Sequence, residues 1–195
     1  MAIHREEVAL SLSPVVAVGH PVAVVEEDSV GSAAAAGVLE GAAPDRVGNE
    51  MRTREFLSKV DHDRIIRAIR DSESKTSGEI RVLIQRGKLN TDPLVAAQQK
   101  FHRLGMHKTR ERNAVLIFVA PRAHKFAVVG DAAIHEKCGV EFWQQTVERM
   151  RTHFQIEKFS AALIEAVQDV GSALERHFPR SSTDKNELPN DVIEE

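Results

Sequence analysis

Apolar residues recur along this chain in two periods, and each change of period marks an element. From Asp61 onward, Ile65, Ile66 and Ile69, with Leu57 and Val60 upstream, fall at three- and four-residue spacings. That pattern predicts a helix capped by Asp61 or Asp63 and ended within Ser72 to Gly78. Glu79 to Gln85 then alternates, with Ile80, Val82 and Ile84 on one face and Leu83 helping to cover the other, which predicts a strand. A second helix is predicted over Asp92 to Leu104, opened by Asp92 and Pro93 at its N-terminus, closed at Gly105, and striped by Leu94, Ala97, Phe101 and Leu104. Ala114 to Ala120 is an unbroken apolar run, the mark of a strand buried on both faces in the middle of a sheet. Pro121 to Ala123 turns the chain and Lys125 to Val129 returns antiparallel. The last third is helical, with one stripe of Phe142, Val147, Met150 and Phe154 and a second of Leu163, Val167, Val170 and Leu174.

The order helix, strand, helix, strand, strand, helices implies an α/β fold. A right-handed crossover makes the first two strands parallel and the hairpin adds an antiparallel third. The expected architecture is a small mixed β-sheet with a βαββ core, flanked by helices, with disordered termini. Residues 1–50 show no sustained periodicity and include the low-complexity run Ser32 to Gly37. They read as disorder, or as an extension added by an overlong gene reading whose true start is Met51. The ordered domain is expected over 54–178, and 179–195 as a disordered acidic tail.

Composition changes this picture little. A chain of 195 residues with 42% hydrophobic side chains suits one core. Charge is uneven: residues 51–180 carry 23 basic and 16 acidic residues, between two acidic ends. Such a domain attracts phosphate, nucleic acid or anionic lipid, although the excess is spread over helical positions as on any solvated surface. Nucleic acid is not an expected partner on this ground, because the basic loop has no interleaved aromatics. Cys138 is the only cysteine, which excludes an internal disulfide and a CxxC site. Val8 to Val25 is interrupted by Pro14, His20 and Pro21, so neither a signal peptide nor a membrane span is expected, and the location expected is cytoplasmic. P-loop, GxSxG, HExxH and dinucleotide fingerprints are missing from the sequence.

The topology brings candidate residues together. The starts of the first two strands and the end of the third share one sheet edge, which places Glu79, Arg81, Arg112, Asn113, Gly130 and Asp131 near one another. The loop GMHKTRER, Gly105 to Arg112, arrives at the same end with Lys108 and Arg110. Asp131 also suits the N-cap of a helix carrying His135 and Cys138. A carboxylate beside a histidine and arginines can bind a metal, position a phosphate or act in acid–base chemistry. Capping alone accounts for Asp131, a turn for Gly130 and surface ion pairing for Glu79.

The strings SGEIRVLI, a helix ending LGM, RNAVLIFVAP, KFAVVGD and FSAALIEAVQDVGSAL together resemble the TPM domain family, over about residues 54–178. That family includes thylakoid acid-phosphatase-type proteins and bacterial relatives, many of them exported or anchored. The resemblance implies phosphatase activity in some members and binding of a divalent cation, often Ca2+, in others. It points to an acidic site on Asp131, Glu79 and Glu136.

Two functions are consistent with these residues. In a metal-assisted phosphatase, Asp131 and Glu79 hold Ca2+ or Mg2+, His135 moves a proton, and Arg112 with Arg81 neutralises phosphoryl oxygens. In a non-catalytic ion-binding or protein-interaction module, the same edge and the basic residues Arg81, Lys108 and Arg110 bind a phosphate-containing ligand or an acidic protein partner.

Overall fold

A computed structural model describes residues 13–18, 46–182 and 186–195; the expectations for the remainder of 1–50 and for 183–185 lie outside the described residues. The centre of the fold is a mixed five-stranded sheet in the order β1-β4-β3-β2-β5. Its inner strands are those that the sequence predicts. β2 (Ile80–Ile84) and β3 (Val115–Ala120) are parallel, joined by helix α3 (Pro93–Arg103), and β4 (Lys125–Gly130) runs back beside β3. Asp92 caps α3 and Gly105 leaves it with a left-handed φ of 73°, a conformation open to glycine at no steric cost. β3 is central and buried at every position.

The burial of both faces follows from the helices. On one face, Ile80, Val82, Ile84, Val115, Ile117, Val119, Phe126 and Val128 meet helices α1 (Arg46–Lys59), α2 (His62–Glu73), α4 (Ala132–Gln155) and α5 (Phe159–His177). On the other, Leu83, Leu116, Phe118, Ala120, Ala127 and Val129 pack under Ala96, Ala97 and Phe101 of α3 and under Met106. Both α2 and α5 are continuous, whereas α4 breaks at Gly139, with φ 71° and ψ 176°. Among the described residues no helix is long and apolar enough to cross a membrane.

Two outer strands extend the predicted core. β1 (Ser13–Val18) lies parallel to β4, from a stretch with no evident periodicity. Pro14 is compatible with its place, since β1 is outermost among the described strands and an outermost strand has one side outside the ladder. β5 (Val192–Glu194) lies parallel to β2, in the segment that composition assigns to a disordered acidic tail. Leu188 and Ile193 pack onto the α3-side cluster and Val192 onto the other, so a few apolar anchors among the acids suffice for this strand.

Candidate functional site

β4 ends in Gly130, where an added Cβ would lie 2.6 Å from the Trp143 ring, so α4 packs directly on bare backbone. Asp131 follows and caps α4, its Oδ1 accepting from the Ala132 N–H at 2.7 Å. Its backbone N–H is bound to the Ala114 carbonyl at 2.9 Å, which continues the sheet ladder. Across that ladder Arg112 grips the same carboxylate with two bonds of 2.8 Å, one from Nε to Oδ2 and one from Nη2 to Oδ1. Arg112 itself has a left-handed φ of 53°, and its carbonyl accepts from the Ala133 N–H at 3.1 Å. The carboxylate is 5% exposed while the Arg112 side chain is 52% exposed, so the pair presents the cation outward. Its bond to Asp131 holds the Arg112 guanidinium above its ordinary pKa.

Arg112 and Asp131 both line a cleft of about 850 Å3, together with residues of α3 and the end of β4. Val95, Phe101 and Val129 give it an apolar wall, and Gln98, Gln99, His102 and His107 give it polar groups. The two histidine rings stand 4.7 Å apart. Helix α3 supplies one, and the turn after Gly105 brings round the other.

The other sequence candidates do not line this cleft. His135 is half-buried one turn into α4, and its Nδ1 accepts from the Trp143 indole at 3.1 Å. Glu136, Lys108 and Arg110 are exposed. Glu79 and Arg81 are buried beneath the C-terminal segment: Glu79 accepts from the Glu187 N–H at 2.7 Å, and Arg81 donates to the Pro189 carbonyl at 3.0 Å and pairs with Asp191 at 3.2 Å. Asn113 turns to Ser77 at 3.1 Å. The backbone starts do share a sheet end, but their side chains form two clusters. Cys138 is half-buried, and burial pushes its thiol up, so it keeps its proton at neutral pH.

A divalent cation does not fit these side chains as they stand. Both oxygens of Asp131 are engaged by hydrogen-bond donors, and the ladder sets Glu79 two strands away, roughly 10 Å between Cα atoms at the usual strand spacing. Among the described residues no group of three or more ligating side chains is gathered.

The TPM domain family profile matches residues 51–173. The chain belongs to the TPM domain family. Its fold is similar to that of the BA42 protein of the psychrophilic bacterium Bizionia argentinensis, solved by NMR, at 34% identity and a TM-score of 0.64, over 69% of this chain and 92% of that one. The N-terminal domain of cg2496 from Corynebacterium glutamicum aligns at 14% identity and a TM-score of 0.42, over 75% and 80% of the two chains. Comparison with curated proteins gave no match.

Within this TPM domain, sequence periodicity did not reveal His102, His107 or Glu73. The histidines meet only through the left-handed turn at Gly105. Glu73 ends α2, is 7% exposed, and accepts from the Ile80 N–H at 2.7 Å and from Asn190. Burial, reinforced by the neighbouring Glu79, pushes its carboxyl up to about 8, against the opposing bond from Ile80. Its folded pKa lies above the ordinary 4.5, so the neutral form favours the fold. The stability it contributes is present in full below about pH 4.5 and is lost as pH rises to about 8. Urea midpoints measured across that window are expected to fall with pH in the wild type and to fall less in Glu73→Gln.

Proposed function

We propose that this TPM domain is a ligand-binding module whose cleft takes a small organic anion such as a phosphate monoester, without hydrolysing it. The observation that supports this reading is the use made of Asp131. Its oxygens are committed to Arg112 and to the helix cap, so it aims the guanidinium instead of offering itself to a metal or a proton. A guanidinium fixed in this way is suited to a phosphate or carboxylate. Val95, Phe101 and Val129 would take the apolar part of the ligand, and Gln98, Gln99, His102 and His107 would supply further hydrogen bonds. Lys108 and Arg110, exposed on the adjoining loop, add to the positive field that draws anions in.

Titration calorimetry with phenyl phosphate and with inorganic phosphate tests the reading, together with p-nitrophenyl phosphate turnover in the presence and absence of Ca2+ and Mg2+. Phenyl phosphate is expected to bind more tightly than inorganic phosphate, and Arg112→Met to weaken it about tenfold or more, roughly 1.4 kcal/mol. Turnover is expected to stay at background. Metal-dependent turnover that disappears in Asp131→Ala would replace this reading with the phosphatase one.

A further inference from the structure

Among the described residues, β2 would be a bare sheet edge without residues 186–195, and those residues cover it with matched charge. Val192, Ile193 and Glu194 pair in parallel with Val82, Leu83 and Ile84, and the ladder continues through the Glu195 N–H to the Ile84 carbonyl at 3.1 Å. Val192 and Ile193 point to opposite faces and join different clusters of the core. Around them a basic rim converges from several elements: His62 of α2 and Arg86 after β2 on Glu194 at 3.0 and 3.5 Å, Arg81 of β2 on Asp191, and Lys100 and Arg103 of α3 on Glu195. Burial works against ionisation of Glu195, but the bonds from Lys100 and Arg103 outweigh it and hold its carboxyl below the ordinary value.

We infer that the outer edge of β2 and its basic rim form an acceptor groove for an extended acidic–aliphatic segment of a partner protein, occupied in cis by this chain's own residues 186–195. Backbone pairing and two aliphatic contacts would be enough to cover an edge. Cations aimed from separate elements at Asp191, Glu194 and Glu195 do more, since they read an acid–aliphatic–aliphatic–acid–acid pattern, as strand-addition sites do. Every residue of the rim lies within the 51–173 family match, whereas the occupant lies beyond it, so the acceptor belongs to the TPM domain and the strap is attached to it. The strap is also displaceable. It pairs over three residues, and two of the four Lys and Arg side chains that hold it, Arg86 and Arg103, are each 56% exposed, so salt screens them, while the more buried Arg81 and Lys100 keep the grip specific. Tethering gives the cis segment the advantage of a high effective concentration, which a partner overcomes by binding more tightly.

The test uses a fluorescent peptide with the sequence of residues 186–195, titrated into the full chain, into the full chain carrying Val192→Asp and Ile193→Asp, and into that variant with Lys100→Glu and Arg103→Glu added. The released chain is expected to bind at least tenfold more tightly than wild type, more weakly as salt rises, and at least tenfold more weakly once the rim is reversed. A shuffled peptide is expected not to bind. Equal binding to wild type and released chain, or equal binding of the shuffled peptide, overturns the inference. So does a released chain that forms a concentration-dependent dimer and ignores the peptide, which would give the groove to a second copy. Should the released chain fail to fold, hydrogen exchange on the wild type decides: saturating peptide should speed exchange at Val192 to Glu194, and unchanged exchange sinks the idea.

Discussion

Replacing Trp143 with alanine is expected to destabilise the fold by about 3–5 kcal/mol, the range for emptying a buried aromatic site. The side chain is fully buried, packs edge-on against Phe142 at a centroid distance of 5.0 Å, and faces Gly130 so closely that no Cβ fits there. That contact sets how near α4 approaches β4, and hence where Asp131 sits. It also predicts a non-additive pair. Gly130→Ala alone is expected to cost roughly 1–3 kcal/mol through overpacking. In the Trp143→Ala background most of this cost should vanish, giving a coupling of about 1 kcal/mol or more in a double-mutant cycle measured by urea unfolding. Strict additivity would show that the ring and Gly130 do not determine the spacing of helix and sheet.

The second large effect is expected at Asp131. Alanine there removes a helix cap, about 1 kcal/mol, and an ion pair whose cation is half exposed, which adds about 1 kcal/mol at most after screening. A total loss of roughly 2 kcal/mol is expected in urea unfolding. Asp131→Ser retains a capping oxygen and should recover about half of it, but it cannot hold the guanidinium. Phenyl phosphate affinity should therefore fall in both variants alike, because both release Arg112. A serine variant that restores ligand affinity along with stability would mean that the orientation of Arg112 contributes nothing to binding.

The inner fold was legible because its signals are local. Asp92 with Pro93 and Gly105 bracket α3 by their own backbone preferences, and the unbroken apolar run of β3 requires cover on both faces, which only a central strand receives. The Asp131 cap followed from a short polar residue between strand and helix patterns. The site was half legible. Strand directions put Glu79, Arg81, Arg112 and Asp131 at one sheet end, but side-chain direction depended on residues 186–195, which draw Glu79 and Arg81 to themselves. Those residues were hidden because Leu188, Val192 and Ile193 are sparse among acids and polar residues. β1 was hidden for another reason: Pro14 lies inside its short apolar run, and His20 and Pro21 follow it, so no sustained period marks a strand.

The sequence distance of each pairing also orders the assembly of the sheet. β3 and β4 meet around a tight turn, with Ala120 opposite Lys125, and β2 joins β3 through one crossover, with Ile80 opposite Val115. The outermost pairings instead bring Ser13 to Lys125 and Val82 to Val192, each across about 110 residues. Long loops are closed late, because their entropy is lost before their contacts return anything. The sheet is thus expected to condense from the β3–β4 hairpin outward. It should also open in the reverse order, with both rims yielding by partial unfolding while the middle stays closed.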